Sequence, residues 1–356
     1  MAPDVTAAAD VPSLTDAVRD YYGKVLASTA DLQTSACCTA QAPMRHVAEA
    51  LGNVHDEVKD RFYGCGSPIP PALEGLTVLD LGCGSGRDCY VLCQLVGPNG
   101  RVIGVDMTDE QLAVANRHLG YHADKFGYAN VEFKHGYIED LGAVGLADCS
   151  VDLVVSNCVL NLSPDKPRVF QEIFRVLKPG GELYFSDVFA DRRIPAALLD
   201  DPVLVGECLS GALYEEDFRR IMARSGCADA RVVSSTPLTI SNPDIEQKIG
   251  YVAFSSRTIR AFSLPLEDRC EDFGQVATYR GTLTGHPHAF DLDDHHRFHT
   301  GKPMLVCGNT ADMLSRTRYA QHFDVIGEKT THFGLFPCGP SDQPSAGAAS
   351  TGAGCC

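Results

Sequence analysis

Val78-Leu79-Asp80-Leu81-Gly82-Cys83-Gly84-Ser85-Gly86-Arg87-Asp88 reads as an apolar strand, a turn with three alternate glycines and the start of a helix. Glycines let such a turn bend tightly and bring its backbone against a nucleotide with no Cβ in the way. The spacing is GxGxG, because Arg87 stands where a dinucleotide loop would place its third glycine. Outward from this loop the chain alternates. Strands are predicted at Val78–Leu81, Val102–Asp106, Val131–His135, Val151–Ser156 and Glu182–Val188, with a weaker one at Arg231–Ser235. Helices are predicted at Asp88–Val96, Asp109–Phe126 and Pro167–Leu177, and Lys178-Pro179-Gly180-Gly181 as the turn after the last of them. Short apolar strands separated by helices imply an α/β fold with a parallel, doubly wound sheet.

An acid two residues before the first glycine, then GxGxG, is the pattern of Rossmann-like class I methyltransferases that use S-adenosylmethionine. It speaks against a nicotinamide enzyme. Asp106 ends the second strand, where an acid can accept both ribose hydroxyls, and Met107 can pack on the adenine. Ile138 and Glu139 lie in the loop after the third strand, at the adenine edge. The expected cofactor-binding set is Tyr63, Asp80, Gly82, Gly84, Gly86, Asp106, Met107, Ile138, Glu139 and Asn157.

The 356 residues carry a formal charge of −16, which argues against nucleic acid, whose phosphates call for a basic face. It also disfavours an anionic membrane surface. The N-terminal stretch has neither a basic n-region nor an apolar h-region, and no apolar run is long enough to span a bilayer. A cytoplasmic, monomeric enzyme is the expectation. Fifteen cysteines fall below the roughly 8–10% of a disulfide-stapled secreted scaffold. Four units are expected: 1–66, a helical lid (helices at 14–30 and 43–62) with redox cysteines; 67–235, the methyltransferase domain; 236–336, a smaller α+β C-terminal domain; and 337–356, a disordered tail ending in Cys355-Cys356.

Placement singles out three thiols. Cys65 precedes the first strand, Cys158 follows the fourth, and Cys208 lies in the connection after the fifth, near 200–213. Ligands of open α/β sheets bind outside the carboxyl ends of the strands, so the three can converge beside a methyl donor. Soft thiolates favour soft ions. Three of them fill the coordination of arsenic(III) as a pyramid and leave a lone pair free to attack a sulfonium methyl with no proton to remove. The slot after the fourth strand, Asn157-Cys158, offers neither an acid nor a histidine as a general base.

The chain resembles the eukaryotic arsenite S-adenosylmethionine methyltransferases in Leu32-Gln33-Thr34 leading to Cys37, in Tyr63-Gly64-Cys65-Gly66 and in Gly82 to Tyr90. The likeness continues through His135 to Glu139, Val155 to Val159 and Gly206-Glu207-Cys208-Leu209. That resemblance implies that Cys65, Cys158 and Cys208 bind arsenic(III). It also implies that Cys37 and Cys65 form a redox pair, restored by thioredoxin or glutathione, and that mono- and dimethylated arsenicals are the products. Cys38 receives no role. Two other readings stand beside it: a methyltransferase of a small quinone- or sterol-type acceptor, and an arsenic-sequestering protein. Cys89 and Cys93 are read as packing, and the His/Asp-rich stretch 286–299 as an exposed polar hairpin. Cys149, Cys227, Cys270, Cys307 and Cys338 carry no readable signal.

Overall fold

The computed structural model describes residues 14–25, 44–64, 68–199, 201, 204–205, 208–240 and 242–338. Cys37, Cys38, Cys65 and the tail with Cys355-Cys356 lie outside these.

Three short helices come first, α1 (Leu14–Asp20), α2 (Arg45–Gly52) and α3 (Asp56–Asp60). The single helix expected over 43–62 is therefore two, since Asn53 caps α2 and His55 restarts the chain by accepting the Glu57 N–H on Nδ1 at 3.1 Å. Then follow β1 (Thr77–Leu81), α4 (Arg87–Val96), β2 (Arg101–Asp106), α5 (Asp109–Arg117), α6 (Leu119–Phe126), β3 (Val131–His135), β4 (Val151–Asn157), α7 (Lys166–Val176) and β5 (Leu177–Ala190). The predicted helix 109–126 is broken at His118, which caps both halves. Lys178–Gly181 is carried inside β5, with Gly180 at φ 78°, rather than standing before it.

Beyond these lie β6 (Leu213–Tyr214), α8 (Glu215–Arg224), β7 (Ala230–Leu238), α9 (Pro243–Ile249) and β8 (Phe254–Phe262). The large sheet runs β3-β2-β1-β4-β5-β8-β7, with β6 beside β5. Strands β1 to β5 are parallel, but β8 is antiparallel to both β5 and β7. The expectation of a wholly parallel sheet is thus corrected: β8, from the stretch assigned to the C-terminal domain, is an integral strand of the large sheet. Nine β5–β8 pairs, from Glu182–Phe262 to Ala190–Phe254, hold it there. β1 is buried from Val78 to Leu81, as a strand with helices on both faces must be.

The remainder has its own apolar core around Tyr279, Phe290, Phe298, Leu314 and Tyr319. It contains β9 (Glu271–Asp272), β10 (Gln275–Tyr279), the hairpin β11 (Ala289–Asp291) with β12 (Arg297–His299), β13 (Pro303–Val306), α10 (Gly308–Ser315), β14 (Phe323–Ile326) and β15 (Gly334–Leu335). A buried charge cluster joins this unit to the sheet. Glu182 of β5 accepts from Arg260 Nε of β8 at 2.7 Å and pairs with Arg318 Nη1 at 2.5 Å. The 286–299 hairpin is likewise not all solvated: Asp293 and His296 are buried, and Asp293 pairs with Arg231 Nη1 at 3.0 Å. No helix of the described residues is long and apolar enough to cross a membrane.

Candidate active site

The strand order β3-β2-β1-β4-β5 steps one way from β1 to β3 and the other way from β1 to β4 and β5, and crevices at such switch points receive ligands. A cleft holding about 1010 Å³ of free space, its open mouth included, lies at those strand ends. Gly82, Cys83 and Gly84 form its floor, Asp106 and Met107 one wall, Ile138 and Glu139 a second, and Asn157 and Cys158 the third. Tyr63 and Asp80 line it as well. Of the ten expected cofactor-binding residues only Gly86 is absent from the wall. Its need for glycine is steric: at φ 85° it opens α4, and a Cβ there would meet Phe133 at 2.6 Å.

Two buried carboxylates organise the loop. Asp106 accepts the Gly84 N–H on Oδ2 and the Thr108 N–H on Oδ1, each at 2.8 Å. It thus ties β2 to the glycine turn while each oxygen keeps a lone pair for a hydroxyl. Burial raises its pKa above the ordinary aspartate value. Asp80 sits deeper and accepts from the Cys89 thiol at 3.2 Å. Burial first, then the charge of Asp88, push Asp80 up to about 8. Asp88 in turn receives Arg87 Nη2 at 2.7 Å and Asn157 Nδ2 at 3.2 Å, and the Arg87 guanidinium lies over the Phe62 ring.

The residues present fit S-adenosylmethionine. Gly84, at φ 52°, has nothing within 4 Å of where its Cβ would be, so the turn faces open space. Gln111 Oε1, buried in the wall, has no hydrogen-bond partner among the described residues, and the acids around it suit a cationic ligand.

The thiols come next. Cys158 lines the cleft, but Cys208 does not: it is fully buried behind, and its thiol donates to the Cys158 carbonyl at 3.3 Å. Cys158 is disulfide-bonded. Among the described residues only four non-glycines have positive φ, and these two cysteines are among them, at 55° and 61°. Side chains resist that region by roughly 1–2 kcal/mol per residue, so both turns are held there by their surroundings.

Residues that sequence reading passed over do the holding. Asp187, at the end of β5, accepts Asn161 Nδ2 at 2.7 Å and the Asn161 N–H at 3.2 Å, fixing the turn that follows Cys158. Burial pushes Asp187 up to about 7. Gly211 packs on the same turn, since a Cβ there would lie 2.1 Å from the Asn161 carbonyl oxygen, and so it couples the Cys208 segment to the Cys158 segment. No spacing in the sequence announces these contacts. Gly64, the residue before Cys65, is equally tight: its Cβ would come within 2.6 Å of Asn157 Nδ2. Cys89 and Cys93 are buried helix residues, as expected of packing.

Comparison with known proteins agrees with this layout. Residues 72–226 match the model of a methyltransferase domain, and residues 273–344 that of the arsenite methyltransferase C-terminal domain. An arsenite methyltransferase of Aquipseudomonas alcaligenes is 55% identical over 96% of this chain and 99% of its own length. The Homo sapiens arsenite methyltransferase is 47% identical over 88% of this chain and 84% of its own. The crystal structure of an arsenic(III) S-adenosylmethionine methyltransferase from Chlamydomonas reinhardtii superposes with a TM-score of 0.80 at 53% identity, covering 83% of this chain and all of that one. A demethylmenaquinone methyltransferase of Lactococcus lactis matches over only 31% of the chain.

Proposed function

The chain belongs to the arsenite methyltransferase family and is an S-adenosylmethionine-dependent enzyme, and from that premise we propose that Cys65, Cys158 and Cys208 hold arsenic(III) as thiolates for methylation. The observation that carries this is the meeting of the Cys158 and Cys208 segments, 50 residues apart, at the end of β4 against the cofactor loop. Gly64 against Asn157 brings the chain preceding Cys65 to the same corner.

The bound cofactor supplies an electrophilic methyl on a sulfonium. Asp106 and the glycine turn orient its nucleoside end, and Asp80, Asp88 and Glu139 make the acidic walls that suit its charge. Arsenic, bound by three thiolates, forms the new As–C bond with its lone pair while the S–C bond breaks toward sulfur. No proton moves, so the attack needs no general base. Each transfer takes arsenic formally to the pentavalent state. Two thiols, Cys37 and Cys65, return two electrons and become a disulfide, which thioredoxin or glutathione reduces.

The test is arsenite with labelled methyl donor and a thioredoxin system, on single serine variants. Cys158→Ser and Cys208→Ser are expected to lose all methylation. Cys37→Ser and Cys65→Ser should fail on arsenite yet still methylate a monomethylated trivalent arsenical, which needs only two thiolates. Arsenite methylation retained by Cys208→Ser would refute the assignment.

A further inference from the structure

The C-terminal unit gathers three thiols that lie far apart in sequence. Cys270, Cys307 and Cys338 bring their sulfurs within 4.8 Å of one another, and all three are free. The local fold explains the meeting. β15 pairs with β9, the Phe336 N–H reaches the Cys270 carbonyl at 2.7 Å, and the Cys338 N–H turns back to the Phe336 carbonyl at 2.8 Å. Cys307 caps α10, accepting the Thr310 N–H on sulfur at 3.4 Å. Cys307 is fully buried, while Cys270 and Cys338 are half-buried, so the trio has a floor and an accessible rim. None of the three lines the cofactor cleft.

We propose that Cys270, Cys307 and Cys338 form a second arsenic(III) site, separate from the place of methyl transfer. Arsenous acid exchanges its three As–O bonds for three As–S bonds, and each departing hydroxide leaves as water with one thiol proton. No oxidant or reductant is required. The coordination number favours arsenic over zinc: structural zinc takes four protein ligands in nearly all cases, and no fourth His, Cys, Asp or Glu among the described residues joins this group. Charge favours it too. Arg231, whose Nη2 lies 3.9 Å from Cys307 Sγ, already pairs with Asp229 at 2.6 Å and Asp293 at 3.0 Å. A neutral arsenic tristhiolate adds no charge there, whereas zinc with three thiolates adds a negative one. The proposal depends on the methyltransferase reading only for the presence of arsenic(III); the site itself stands on its own geometry. Bound arsenic would clamp the two-pair β9–β15 ladder to the start of α10.

The experiment uses the full chain, reduced with a phosphine, treated with excess arsenite and desalted, with arsenic and zinc per chain counted by mass spectrometry. Cys338→Ser should hold one arsenic fewer than the parent while its arsenite methylation persists, and Cys208→Ser should keep the C-terminal arsenic although methylation is lost. Arsenite should also raise the melting temperature of Cys208→Ser but not that of a Cys208→Ser/Cys338→Ser double variant. Should Cys338→Ser fail to fold, Cys270→Ser, at the other rim position, gives the same count. An unchanged arsenic count in the rim variant overturns the proposal. So does one zinc per chain that co-purifies, is lost in that variant and is not displaced by arsenite.

Discussion

Asp80→Asn should make the ligand-free protein more stable at pH 8 while abolishing tight cofactor binding. Asp80 is 4% exposed, and burial with the neighbouring charge of Asp88 pushes its carboxyl up to about 8. An unfolded chain releases that proton near pH 3.9, so the folded state holds it for about four pH units longer. The sign follows: the folded pKa is raised, so this contribution is fully present below pH ~4 and is lost as pH rises through about 8. At about 1.36 kcal/mol per unit, the loss approaches ~5 kcal/mol, a large share of a typical 5–15 kcal/mol total. Asparagine cannot ionise and escapes this loss, but a buried amide without full partners costs about 1–3 kcal/mol. The net gain is therefore ~2–4 kcal/mol at pH 8 and near zero at pH 5. Urea unfolding of both proteins without cofactor, from pH 5 to 8, measures the difference. Adding S-adenosylmethionine should stabilise the parent strongly and the variant little. If the stability of Asp80→Asn falls between pH 5 and 8 in parallel with the parent, Asp80 is not the titrating group and the reasoning fails.

Gly82→Ala would place a Cβ 2.3 Å from Val159 Cγ2 at φ 70°, pushing the Cys158 turn; cofactor affinity and methylation should both drop at least about tenfold, with ~1–3 kcal/mol of stability lost. Gly84→Ala meets nothing within 4 Å, so calorimetry should show weakened cofactor binding with a smaller loss in unfolding midpoint. Arg260→Met leaves the fully buried Glu182 short of a cation; chemical denaturation should report a loss of about 3–5 kcal/mol.

The cofactor loop was legible because its chemistry is local. A tight turn that must admit a nucleotide needs glycines at fixed offsets, and Gly82, Gly84 and Gly86 meet that need within five residues. The thiol corner was legible only as three positions, one before the first strand and two after strand ends. That Cys208 sits behind Cys158 rather than on the cleft wall, and that both occupy positive φ, depends on Asp187 and Gly211 packing around Asn161. Such contacts join segments 26 to 50 residues apart, and no periodicity encodes them.

Taken alone, the amino-acid order determined the α/β alternation and the cofactor-binding turn, since each follows from residue types at short fixed spacing, and it pointed to a metalloid chemistry through three cysteines placed beside strands and a family resemblance. Tertiary structure decided what depends on long-range packing. It reversed β8 into the large sheet, buried Asp293 and His296 against Arg231, and drew Cys270, Cys307 and Cys338 together through a two-pair ladder and a helix cap. Burial and the company of distant side chains give a thiol or a carboxylate its character, and these exist only once the chain has folded.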